Sequence, residues 1–109
     1  MAFNASHRFA RIAPRKARLV ADMIRGKGIE DALAALEFSP RRGAWFIKSV
    51  LRSAIANAEE RNADVGRLFV SESRVDEGPT IKRFQPKDRG RSHPIMKRTS
   101  HIHVSVDVR

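Results

Sequence analysis

His101-Ile102-His103-Val104-Ser105-Val106-Asp107-Val108 alternates without a fault. Ile102, Val104, Val106 and Val108 fall on one side, and His101, His103, Ser105 and Asp107 on the other. That is the period of a strand with one face buried. Upstream, Leu68 to Val75 is β-rich but less regular, and Phe3 to Phe9 is a weaker third strand. Between these two the period becomes helical. Pro14 suits a first helical turn, where the missing N–H is lost anyway. Ala17, Val20, Ala21 and Ile24 then form an apolar stripe and Gly26 a stop, with Arg15, Lys16, Arg18, Asp22 and Arg25 opposite. Gly26-Lys27-Gly28 reads as a hinge, after which Ile29, Ala32, Leu33 and Leu36 mark a short second helix. Ser39-Pro40 reads as an N-cap followed by an N1 proline. It opens a third helix to Asn62 with Ile47, Val50, Leu51, Ala54 and Ala58 as its core stripe. The order predicts an α+β fold, three helices packed on one face of a small three-stranded antiparallel sheet.

The composition limits what such a fold can do. The chain has 109 residues with 22 Lys+Arg against 12 Asp+Glu, a net charge of +10, and no cysteine. Disulfide scaffolds, thiolate zinc sites and cysteine nucleophiles are thereby excluded. The longest apolar run is the five residues Ala32 to Leu36, too short for a membrane span. The charge is also unevenly spread. Residues 1–29 hold seven Lys/Arg and one acid, residues 30–79 seven and nine, and residues 80–109 eight and two. Two basic ends that meet in space make one electropositive face, suited to a polyanion.

The most basic stretch, Thr80 to Ser100, has seven Lys/Arg and one acid. Pro86 and Pro94 each stand four residues from Gly90. A turn at Gly90 makes a hairpin in which Arg83 faces Lys97, Lys82 faces Arg98 and Phe84 faces Met96. Like charges directly opposite destabilise a ribbon in water, so this pairing calls for an anionic surrounding. Arms of ten residues would reach roughly 30–35 Å. Composition alone admits either this hairpin or a solvated basic loop.

Other motifs read more plainly as structure. His101-x-His103 puts two imidazoles on one strand face, but a third ligand is missing and no metal site is expected. Asp76-Glu77-Gly78-Pro79 reads as a bend at the hairpin base, with its acids tethering nearby arginines. Gly26-Lys27-Gly28 lacks the spacing of a phosphate-binding loop. Trp45 lies on the Lys48/Arg52 side of the third helix, where it covers a neighbouring element or meets the polyanion. No serine–histidine–acid set has supporting context, so neither catalysis nor a cofactor is expected.

Four runs resemble the large-subunit ribosomal protein number twenty-two family, bacterial type. They are Arg18-Leu19-Val20-Ala21-Asp22-Met23-Ile24-Arg25-Gly26, Ser53-Ala54-Ile55-Ala56-Asn57-Ala58-Glu59, Val75-Asp76-Glu77-Gly78-Pro79 and Lys97-Arg98-Thr99-Ser100-His101-Ile102. The resemblance covers essentially the whole chain. It implies a single RNA-binding domain, with a globular body of residues 1–79 and 101–109 and a long protruding basic β-hairpin of residues 80–100. It further implies binding to large-subunit ribosomal RNA, contact with neighbouring large-subunit proteins, and a hairpin in the wall of the nascent-peptide tunnel beside the passing peptide. The hairpin tip would comprise Phe84, Gln85, Pro86, Lys87, Asp88, Arg89, Gly90, Arg91 and Ser92. The family tip usually reads Pro-Arg-Ala-x-Gly-Arg, so Asp88 brings a carboxylate where a small residue is usual. Beside a phosphate it needs Arg89 or Arg91 as a partner.

The residues expected to contact RNA are Arg8, Arg11, Arg15, Lys16, Arg18, Arg25 and Lys27 at one end of the chain. Lys82, Arg83, Lys87, Arg89, Arg91, Lys97, Arg98 and His101 serve at the other. Such cations fix position on a backbone without reading sequence. The expected state is a monomer within a cytoplasmic or organellar ribosome, away from membranes. A β-ribbon DNA-binding module and a small RNA-processing enzyme are the competing readings. DNA-ribbon proteins are commonly dimers, and the chain shows no spare apolar stripe for a partner; the enzyme lacks an acid–base pair.

Overall fold

A computed structural model describes residues 2–109 apart from 88–90, and for residues 81–87 and 91–96 it describes the backbone. The elements are β1 (Phe3–Ala10), α1 (Pro14–Ile24), α2 (Ile29–Phe38), α3 (Arg42–Glu60), a 3-10 turn (Val65–Arg67), β2 (Leu68–Glu77), β3 (Ile81–Lys87), β4 (Arg91–Lys97) and β5 (Ser100–Val108). The alternating segment is the central strand, in the antiparallel order β1-β5-β2. Phe3 pairs with Val106 on one side and Val70 with Val106 on the other. One side of this central strand lies under the helices along its length, which explains the regularity of Ile102, Val104 and Val106, all fully buried.

The helices cover one face of this sheet. α1 lies against β2, and α3 crosses β1 and β5. Ala17, Val20, Ala21 and Ile24 of α1 and Ile47, Val50, Leu51, Ala54 and Ala58 of α3 are buried as the periodicity predicts. No helix among the described residues is long and apolar enough to cross a membrane.

The third helix begins later than Ser39-Pro40 suggests. Ser39 ends α2 instead, its N–H donating to the Leu36 carbonyl at 3.3 Å. Being followed by proline, Ser39 is extended (φ −78°, ψ 128°), as the pyrrolidine ring requires of the residue before it. Arg41 then takes the N-cap position of α3. The far end is a Schellman turn: Asn62 is left-handed at φ 60°, and the Ala63 N–H donates to the Ala58 carbonyl at 3.0 Å,. Helical hydrogen bonding therefore ends at Glu60, two residues before Asn62.

The outer edge of β2 is closed by the chain's own groups. Gly26 (φ 82°) donates its N–H to the Val70 carbonyl at 2.9 Å, and the Val70 N–H donates to Lys27 at 2.8 Å. Further along, Arg25 donates to the Ser73 carbonyl at 2.5 Å and Arg18 to that of Val75 at 3.1 Å. The Gly26-Lys27-Gly28 hinge thus doubles as an edge-pairing segment, and an open sheet edge is removed.

β3 and β4 form a separate two-stranded ribbon. Its register differs from that expected: Lys82 is opposite Met96, Arg83 opposite Ile95 and Phe84 opposite Pro94. The pairs Arg83/Lys97 and Lys82/Arg98 are therefore not formed; Lys87 and Arg91 are the like-charged residues in register. The ribbon is shifted by two residues relative to a turn centred on Gly90, and that position lies outside the described residues. The paired arms have seven residues each, or about 23 Å, shorter than ten-residue arms would be.

At its base, the Gly78 N–H donates to the Thr99 carbonyl (2.9 Å) and the Thr99 hydroxyl to that of Pro79 (2.6 Å). Gly78 and Pro79 stand at the ribbon's base as the sequence suggests, but neither a turn nor a bend is formed there. The molecule measures 63 × 24 × 16 Å with a radius of gyration of 16.9 Å, against about 13 Å for a compact domain of about 100 residues.

Candidate nucleic-acid interface

The end of β1, the first turns of α1 and α3, and the junction of β4 with β5 converge on one groove of about 900 Å³. Six cations line it: Arg11, Lys16, Arg41, Arg42, Lys97 and Arg98, with Ile12 and Leu19 contributing apolar surface. Gly43 allows the two helix starts to lie together. A Cβ there would come within 3.3 Å of Val20 Cγ2 and 3.4 Å of Ile12 Cδ1, tighter than ordinary packing.

The electrostatics of this groove run against what a free protein favours. α1 has no acid in its first turn, no side-chain cap, and Arg15 and Lys16 in that turn. α3 likewise has no acid and no side-chain cap there, with Arg41 and Arg42 at its start. α2 has the usual arrangement, with Glu30 and Asp31 in its first turn. A helix N-terminus carries the positive end of the dipole, where a charge of favourable sign contributes about 0.3–1 kcal/mol. Cations at that position work in the opposite direction. Among the described residues, none of the six groove cations has a carboxylate partner. Cations gathered around two acid-free helix starts leave the groove with a positive potential that favours anions.

The expected RNA-contacting residues divide into distinct sets. Arg11, Lys16, Lys97 and Arg98 are brought together in the groove, although they come from opposite ends of the chain. Arg15 is exposed on the first turn of α1, beside the groove, and the Lys27 side chain is exposed at the α1–α2 hinge. Arg8 stands 5.7 Å from the Phe9 ring, which meets His101 edge-on at 4.9 Å. Phe9 is left-handed (φ 58°) at the β1 bulge, and its N–H donates to His101 Nδ1 at 3.1 Å. Arg18 and Arg25 belong to the fold, holding α1 to β2 through backbone carbonyls; Arg25 also pairs with Asp22 at 2.8 Å. The side chains of Lys82, Arg83, Phe84, Gln85, Pro86, Lys87, Arg91 and Ser92, and all of Asp88, Arg89 and Gly90, lie outside the described residues.

Arg41 and Arg42 are the residues that sequence reasoning missed. They sit in the mixed-charge middle, where nine acids outnumber seven cations. The available signal was a basic pair directly after Ser-Pro, at the start of the longest helix.

Several charges elsewhere are paired internally. On the uncovered face of the sheet, Arg74 pairs with Glu72 at 2.7 Å and with Asp76 at 3.4 Å, and His103 approaches Asp76 at 3.3 Å. Asp76 thus tethers an arginine, as its position at the hairpin base suggested. Lys48 pairs with Glu37, and that hydrogen bond lowers the Glu37 pKa. No cluster of three or more potential metal ligands occurs among the described residues.

Residues 5–107 match the family described as Ribosomal protein L22p/L17e. The chain is 54% identical over 107 residues to the large ribosomal subunit protein uL22 of Ligilactobacillus salivarius, covering 97% of this chain and 93% of that protein. It is 54% identical over 105 residues to the uL22 protein of Geobacter sulfurreducens, covering 95% of each. With that of Lactobacillus helveticus it shares 55% identity over 104 residues, covering 94% of this chain and 89% of the relative. From coverage of this extent, the chain belongs to the ribosomal protein L22p/L17e family, a family of structural ribosomal proteins and not of enzymes.

Proposed function

We propose that the protein is a structural component of the cytoplasmic large ribosomal subunit that binds its RNA and helps it assemble. The observation that carries this reading is the groove of six cations, none with a carboxylate partner among the described residues, between two acid-free helix starts. Its family membership supplies the class of polyanion. The body, residues 1–79 and 101–109, neutralises phosphates where RNA segments converge and lets those segments approach each other. The β3–β4 ribbon reaches out from it as the part that lines the peptide tunnel, with Lys82, Arg83, Lys87, Arg89 and Arg91 meeting RNA and the tip meeting the passing peptide. Neighbouring large-subunit proteins complete its surroundings, and it acts there as a monomer.

Density-gradient fractionation of tagged protein from cells tests this. Stoichiometric comigration with the large subunit, stable in moderate salt and lost on RNase digestion, is the expected result. Migration as free protein or with DNA would reject it.

A further inference from the structure

We propose that Trp45 is a stacking platform for an unpaired RNA base; this rests on the reading that the chain binds RNA. Trp45 is 66% exposed on α3. It therefore does not serve the core, and the Trp45–Phe46 contact leaves most of it open to solvent. The two rings stand nearly perpendicular (80°) with centroids 4.9 Å apart. Phe46 is itself buried and lies 5.5 Å from the His7 ring. The indole is thus braced by an anchored neighbour and remains accessible.

Its surroundings indicate a nucleic acid. Arg41 and Arg42 precede Trp45 by one helical turn and Arg52 follows by two, the spacing of side chains on one helix stripe. From Arg42 to Arg52 the stripe runs about 15 Å. Glu37 is the acid on this side, and its charge is taken up by Lys48. Arg42 also stands 5.8 Å from the Phe46 ring. An aromatic face between cations holds a base by stacking while the cations hold the flanking phosphates, a mode that accepts any base. Arg41 and Arg42 also line the groove, so a strand leaving the groove along α3 meets Trp45 next.

The chain has one tryptophan and no tyrosine, so its intrinsic emission reports this residue. The full chain is titrated with single-stranded oligo(A) RNA and, separately, with an abasic oligomer of equal length. Stacking predicts quenching at saturation by oligo(A) and little by the abasic oligomer. W45A should weaken oligo(A) binding about 5- to 150-fold, the range for one stacked base, and leave abasic binding unchanged. W45F should retain most of the affinity, and a melting curve confirms that each variant is folded. Unquenched emission at oligo(A) saturation, or W45A binding oligo(A) as well as the parent, overturns the proposal while RNA binding itself stands. Failure of the unmodified chain to bind either oligomer rejects both readings.

Discussion

The uncovered sheet face and the groove at the hairpin base use the same side chains in opposite ways. On the sheet, Arg74 is held between Glu72 and Asp76, and His103 shares Asp76. In the groove, six cations face one another with no acid among them. The first arrangement is complete in water, where an exposed ion pair contributes about 0–1 kcal/mol. The second lacks its counter-charge. The basic composition therefore matters less than which cations are already engaged, and Arg18 and Arg25 make the same point within one helix. They share α1 with Lys16 but donate to β2 carbonyls.

The largest effect expected from this contrast is on salt dependence. Replacing Arg41, Arg42, Lys97 and Arg98 together with alanine should lower the magnitude of the salt slope of RNA binding by close to three, at about 0.7 per single-strand contact. Arg74→Ala should leave it unchanged. Binding isotherms across a salt series measure both, and equal slopes in all three proteins would erase the distinction between the two regions.

A second test concerns the link that carries Lys97 and Arg98 to the groove. A Cβ on Gly78 would sit 2.5 Å from Thr99 Oγ1 and 3.3 Å from the His101 ring. Gly78→Ala should cost about 1–3 kcal/mol through overpacking, read as a lower midpoint in urea. An unchanged midpoint would show that the junction yields freely.

Arg18→Ala should behave in the reverse sense to the groove variants. It loses a hydrogen bond to Val75 and about 1 kcal/mol of stability, with a salt slope close to that of the parent. A loss of slope equal to that of a groove arginine would mean that Arg18 also meets phosphate.

The smallest effect has an unusual sign. Lys16→Glu or Arg42→Glu puts an acid at a helix N-terminus and should stabilise the free protein by about 0.3–1 kcal/mol, while weakening RNA binding. Thermal melts at low ionic strength decide this. Destabilisation by both variants would show that the helix ends are not strained by their cations.

The elements were legible because each carries its own period. Alternation in β5 and the stripes of α1 and α3 answer to one flat or cylindrical neighbour, and that neighbour is the core. The start of α3 was misread because Ser39 and Pro40 carry a helix-start signal that the end of α2 also uses. The ribbon register, with Lys82 opposite Met96 and Lys87 opposite Arg91, is not the one that a turn centred on Gly90 gives. The site was half legible. The basic ends mark Arg11, Lys16, Lys97 and Arg98, yet whether a cation is engaged depends on partners far away in sequence, such as Val75, 57 residues from Arg18. Arg41 and Arg42 were concealed by averaging with distant acids.

The strand order has a consequence for how the chain is made. β5 lies between β1 and β2, and it follows both in the chain. Phe3 cannot meet Val106 until nearly everything between them has been synthesised. During translation β1 and β2 have no partner in common, and α3 lacks one of the two strands it crosses. Pairings so distant in sequence also slow closure. A nascent chain stopped before Ser100 would expose its strands and its core helices together, the condition in which partly made proteins aggregate. Folding of the body is therefore a late event that waits on the strand which completes it.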